Sequence, residues 1–127
     1  MQSKTRDVVH RIKVIPGNTP TLKQSTELPL DSAYPFLKGV RIHPVNQYAN
    51  QFDYRIGINV DGDEYMDRTY KNDFFASVDT PMNQRTRERF KQLTSHRARV
   101  ELEFGSQGDV NEEIELDVVF ELTKEAQ

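Results

Sequence analysis

Cysteine and tryptophan are both absent from this chain of 127 residues. The lack of cysteine rules out disulfides, a thiolate nucleophile and Cys-ligated metal sites together, and it suits a reducing compartment. Long apolar runs are missing too. Nothing approaches the roughly 18 residues that a membrane-crossing helix needs, so no membrane span is expected. The opening MQSKTRDVVHRIK is charged and has neither the apolar stretch nor the small-residue cleavage site of a secretory signal. Hydrophobic residues make up only 35% of the chain, which implies a thin core. This length fits one domain, residues 1–127, large enough to bury a core without staples. No internal repeat, low-complexity tract or linker divides it.

The motifs of common chemistries are missing as well. There is no G-x-S-x-G elbow, no P-loop and no G-x-G-x-x-G fingerprint. Ser106, in Gly105-Ser106-Gln107-Gly108, sits in a glycine-rich loop rather than at a strand-to-helix elbow. The loop from Asn59 to Glu64 is rich in oxygen ligands but fails the calcium-loop pattern. Counted from Asn59, the sixth place is Glu64 rather than glycine and the twelfth is Tyr70 rather than glutamate. His10, His43 and His96 have no metal-binding spacing, and His10 reads as a hydrogen-bonded interior or interface residue. Carboxylates are too abundant for any pair to stand out as glycosidase-like. The expectation is a protein that is not an enzyme and uses no cofactor.

What the chain does have is period-two alternation, the signature of strands with one dry and one wet face. Phe52, Tyr54, Ile56, Ile58 and Val60 alternate with Asp53, Arg55, Gly57 and Asn59. Ala98, Val100, Leu102 and Phe104 alternate with Arg97, Arg99, Glu101 and Glu103. Ile114, Leu116, Val118, Phe120 and Leu122 alternate with Glu113, Glu115, Asp117, Val119 and Glu121. Val8, His10, Ile12 and Val14 alternate with Val9, Arg11, Lys13 and Ile15. Val40 and Ile42 mark a shorter run, and 21–28, 64–70 and 74–78 are fainter strands, giving about eight. Asp61-Gly62 is the signal of a two-residue hairpin, because primed turns need positive φ. One helix is expected at 81–93, with Thr80 as N-cap, Pro81 at the first position and Met82, Phe90 and Leu93 on one stripe.

The charges then select among all-β arrangements. If the last two strands formed a hairpin with Phe104 opposite Ile114, Glu103 would oppose Glu115 and Glu101 would oppose Asp117. Like charges facing each other across a sheet are destabilising. Consecutive strands sent to opposite sheets avoid this, so the fold class expected is an antiparallel β-sandwich of jelly-roll or Greek-key type.

The charges also suggest surfaces. Residues 85–99 carry six basic side chains (Arg85, Arg87, Arg89, Lys91, Arg97, Arg99) and one acidic, whereas residues 100–127 carry one basic and nine acidic. The basic stretch is a candidate patch for nucleic acid. The plainer reading is neutralisation of acidic segments, including Glu101, Glu103, Glu115 and Asp117, within a subunit or between neighbours. Tyr34, Phe36, Tyr48, Phe52 and Tyr54 cluster in sequence around two loops, and Tyr34 and Tyr48 are candidate platforms for a sugar.

The stretches from Tyr34 to Ile42, Phe52 to Gly62 and Ile114 to Leu122 set a strand cadence that resembles the single jelly-roll structural proteins of viruses and bacteriophages, of penton, minor capsid or decoration type. The resemblance implies symmetric assembly with copies of itself and other shell proteins, no catalysis, no cofactor, and a place in the virion, assembled in the host cytoplasm. The chain lacks a long basic arm for genome packaging, which favours a shell or vertex role. The alternative is a carbohydrate-binding or adhesin-type β-sandwich module.

Overall fold

A computed structural model describes residues 4–17, 22–70, 87–104 and 111–125. The strands are β1 (Thr5–Val14), β2 (Leu22–Pro29), β3 (Phe36–Pro44), β4 (Tyr54–Val60), β5 (Asp63–Tyr70), β6 (Arg87–Gln92), β7 (Arg97–Phe104) and β8 (Ile114–Thr123), with a short helix α1 (Gln47–Gln51) between β3 and β4. They form two four-stranded sheets, ordered β1-β8-β3-β6 and β2-β7-β4-β5. Four antiparallel pairs nest inside one another: β1 with β8, β2 with β7, β3 with β6, β4 with β5. Pairing of β8 with β3 and of β7 with β4 completes each sheet. A single long hairpin rolled across two layers produces this order, and that is the jelly roll. Among the described strands, only β4 and β5 follow one another within the same sheet.

Alternation supplies the core. The inward residues of β8, from Ile114 through Leu116, Val118 and Phe120 to Leu122, are all at most 1% exposed. They share one cluster with Ile56, Ile58 and Val60 of β4 and Ala98, Val100, Leu102 and Phe104 of β7. Burying each large apolar side chain contributes about 1.5–3 kcal/mol before the entropy cost of ordering it. Tyr54 and Phe104 pack with ring centroids 5.1 Å apart. The Tyr54 hydroxyl donates to the Ala49 carbonyl at 2.6 Å, tying α1 to the core, and burial pushes that hydroxyl's pKa well up.

The Asp61-Gly62 turn forms as expected between β4 and β5, with φ of +54° and +85°. Over its described part, the helix expected at 81–93 is a strand instead. Arg87–Gln92 is the edge strand β6, where Phe90 stacks on Phe36 of β3 at 5.2 Å. Residues 81–86, and the strand expected at 74–78, lie outside the described residues. The helix that does form is α1, capped by Asn46, whose Oδ1 accepts from the Ala49 N–H at 3.1 Å. The same side chain donates from Nδ2 to the Glu113 carbonyl, fixing α1 against the start of β8.

Phe104→Ala should leave a cavity between the layers and cost about 3–5 kcal/mol in denaturant unfolding. Glu103→Ala, on the outer face of the same strand, should cost less than about 1 kcal/mol.

Candidate functional site

The inward side chains form one buried cluster, and the charged side chains of the described strands lie on the outer faces, the edges and the ends. On the β1-β8-β3 face, three rows of charge run across the strands. Lys13 lies opposite Glu115, Arg11 opposite Asp117, and Asp7 opposite Glu121. Arg11 grips Asp117 with two hydrogen bonds, of 2.9 and 3.1 Å. Arg41, from β3, donates to Glu121 at 2.5 Å and to Asp7 at 2.7 Å, bridging both other strands. Its side chain is only 14% exposed, so these two charge-assisted bonds count for more than ordinary surface ion pairs. Between the charged rows lies an apolar step. Val119 is buried although it points outward, flanked by Val9 on one side and Arg41 on the other.

On the opposite face β7 is the central strand. Glu103 sits between Lys23 of β2 and Arg55 of β4, while Arg99 sits between Glu27 and Asn59. Arg97 reaches Glu27 at 3.8 Å. A groove of about 340 Å³ opens here, lined by Glu27, Asn59, Asp61, Ser95, Arg97 and Arg99.

One end of the roll is tied tightly. The Leu30 N–H donates to the His96 carbonyl, the Leu93 N–H to the Pro35 carbonyl and the Asp61 N–H to the Arg97 carbonyl, each at 2.8 Å. The Asp61 carboxylate accepts from the Thr94, Ser95 and Arg97 N–H groups and from the Ser95 hydroxyl. Partial burial pushes its pKa up, but these donors outweigh that and hold the carboxyl at about 2. Nearby, Arg6 pairs with Asp31, and the Ala33 N–H helps to keep the Asp31 carboxyl below its ordinary pKa.

The open sides of the sandwich carry clasps. Between β1 and β2, His10 donates from Nε2 to the Pro29 carbonyl at 2.8 Å. Between β5 and β6, the Tyr65 hydroxyl donates to the Arg89 carbonyl while the Arg89 guanidinium donates back to the Tyr65 carbonyl. The guanidinium also lies over the Tyr65 ring, 5.7 Å from its centre.

The residues singled out in the sequence are thus dispersed. Arg85 lies outside the described residues, and for Arg87 only the strand position is described. Arg89 and Lys91 belong to β6 in one sheet, with Lys91 3.3 Å from Asp63. Arg97, Arg99, Glu101 and Glu103 belong to β7 in the other, and Glu115 and Asp117 to β8 back in the first. The stretch 85–99 is therefore split between two sheets rather than gathered on one face. Glu115 and Asp117 meet Lys13 and Arg11 of their own chain. Tyr34 is buried, with the Lys124 ammonium over its ring at 5.1 Å, so it offers no open face to a sugar. Tyr48 is half-buried and stacked beside Phe52 at 6.3 Å. Among the described residues, no three histidine or acidic side chains are grouped as metal ligands, and no helix is long and apolar enough to cross a membrane. The sequence pattern marks neither Arg41 nor Asp7, and it marks Asp61 as a turn residue but not as the acceptor of four hydrogen bonds. The alternating charges of β1 were visible, but which acids they would meet depends on the β1–β8 register.

Comparison with protein-family models, curated proteins and solved structures returns no match.

Asp61→Asn should destabilise the protein at neutral pH by about 1–3 kcal/mol through loss of charge-assisted hydrogen bonds. Because the folded carboxyl titrates at about 2 against an ordinary 3.8, its contribution is complete above pH 3.8 and is lost as pH falls through about 2. Denaturation midpoints of the two proteins should therefore converge over that window.

Proposed function

We propose that the chain is a structural subunit of a virus particle, a capsid, penton or decoration protein that works by binding copies of itself and other shell proteins. On this reading it performs no catalysis, and it resides in the virion after assembly in the host cytoplasm. The observation that carries the reading is the nested pairing of β1 with β8, β2 with β7, β3 with β6 and β4 with β5. That architecture also serves lectins and cupins, and a fold alone does not name an activity. The outer surface supports assembly over those uses. The inward side chains form one buried cluster, the tyrosine offered to a sugar at 34 is covered, and the β1-β8-β3 face carries ordered rows of ion pairs. Such rows steer a partner into one orientation and penalise misalignment more than they add raw affinity. Nucleic acid is a weaker fit as partner, since the arginines of 85–99 are divided between sheets and Arg89 and Lys91 are engaged with Tyr65 and Asp63.

Antibodies raised against the purified chain and applied across a density gradient of particles test this reading. The chain should sediment with intact particles at a fixed copy number per particle. Recovery only in the soluble fraction, or glycan binding with no particle association, overturns it.

A further inference from the structure

Among the described strands, the four at the sheet edges are not equally protected against pairing with another chain. β6 and β5 each pair with their neighbour through a register shift, and the Tyr65–Arg89 clasp occupies main-chain carbonyls of both. β2 ends in Pro29, which has no N–H and whose carbonyl is taken by His10. β1 is different. It runs ten residues with no proline inside it, in unbroken register with β8. A long, bulge-free, proline-free edge is the kind that accepts another strand.

The main-chain polarity of that edge follows from two hydrogen bonds. The Lys124 N–H donates to the Lys4 carbonyl, and the Val45 N–H donates to the Glu115 carbonyl. Main-chain groups along a strand point to alternate sides. Even-numbered residues of β8 therefore face β1, odd-numbered ones face β3, and in β1 the even-numbered residues bond to β8. The N–H and C=O groups of Asp7, Val9 and Arg11 consequently point away from the sheet, along the edge.

The side chains of the same three residues stand on the outer face, and their order is self-complementary. Val9 is 55% exposed, a large apolar side chain at the centre of the strand. Asp7 lies two residues before it and Arg11 two residues after it, and their side chains are 46% and 49% exposed despite their bonds to Arg41 and Asp117. We propose that β1 pairs antiparallel with β1 of a second copy of this chain about a twofold axis at Val9, setting Val9 against Val9 and Asp7 against Arg11 on both sides of the axis. This pairing rests on the reading of the chain as an assembly subunit, and it names one contact of that assembly.

The charges choose the register. Sliding the strands one way brings Arg11 against Arg11 of the second copy; sliding them the other way brings Asp7 against Asp7. Intermediate settings place Val9 opposite a charge. Only the register centred on Val9 matches opposite charges and joins apolar to apolar. In it, Asp7, Val9 and Arg11 exchange about six main-chain hydrogen bonds with the second copy, and the two sheets become one continuous sheet of eight strands. The contact is isologous and closes on itself, so it yields a dimer rather than an open filament.

Because the chain has no cysteine, a single introduced thiol reports the register. Val9→Cys should cross-link to a covalent dimer under mild oxidation, since facing Cα atoms about 5.5 Å apart suit a disulfide. Thr5→Cys alone should not, as its counterpart across the axis is Lys13; Thr5→Cys combined with Lys13→Cys should. Sedimentation equilibrium of the unmodified chain should give the dimer mass, and Val9→Lys, at an exposed position, should raise the dissociation constant at least about tenfold with unchanged thermal unfolding of the monomer. A monomer at all soluble concentrations overturns the pairing, as does a dimer indifferent to Val9→Lys or cross-linking at position 5 as readily as at position 9. A monomer that still sediments with particles overturns the pairing while leaving the subunit reading in place. A Val9-centred dimer that never enters particles supports the pairing and removes the shell role.

Discussion

The outward carboxylates of β7 and β8 would repel one another if the two strands were paired directly, and the observed strand order avoids that repulsion. Both strands present acids on alternate positions, Glu101 and Glu103 on one, Glu115, Asp117 and Glu121 on the other. A direct hairpin would stack them in consecutive like-charge pairs, each unfavourable by a few tenths of a kcal/mol or more. Placed at the centre of separate sheets, each strand instead gains cationic neighbours. β8 receives Lys13 and Arg11 from β1 and Arg41 from β3. β7 has Arg55 of β4 at the register position beside Glu103. The individual gains are small, but they all favour the same strand order, and agreement among many weak preferences is what separates one fold from its competitors.

Separating the sheets creates a second problem, since two flat layers expose four edges. The chain answers with polar clasps at the sides rather than with more apolar burial, which a composition of 35% hydrophobic residues could hardly supply. His10 joins β1 to β2, and Tyr65 with Arg89 joins β5 to β6. Burial pushes the Tyr65 hydroxyl's pKa up, with the Arg89 charge and main-chain contact opposing, so the group stays a neutral donor at any physiological pH. These clasps also occupy edge carbonyls that would otherwise be open to other chains, so closing the sandwich and blunting its edges are achieved by the same atoms.

The layers and the wet faces could be read from the sequence, because period-two alternation is a local property of 98–104 and 114–122. The Asp61-Gly62 hairpin was legible for the same reason: two residues with positive φ need no distant partner. The expectation failed where the deciding contact is distant. Thr80 and Pro81 resemble a helix start, and 87–92 contains a single apolar residue, Phe90, so no alternation shows there. What makes 87–92 a strand is the ring of Phe36 and the free side of β3, some fifty residues away in sequence. Likewise Val119 breaks the wet face of its strand for no local reason. The register explains it, by placing Val9 and Arg41 on either side.

The tied end bears on function through rigidity. The assembly role proposed above would require the charged rows to keep a fixed spacing, because a strand shifted by one residue turns every side chain to the other face. The strands most exposed to such slippage are those whose partners lie far away in sequence, above all β1, whose Thr5 meets Thr123. Main-chain bonds from Lys124 to Lys4 and from Leu30 to His96, together with the four donors on Asp61, pin the strand ends where the roll closes. The Asp61 carboxylate is particularly suited to this task. It sits in a left-handed turn that only a few residue types tolerate, and it accepts from the N–H groups of Thr94, Ser95 and Arg97. The turn that starts β5 thereby also sets where β7 begins, and so fixes the register of the outer-face charges.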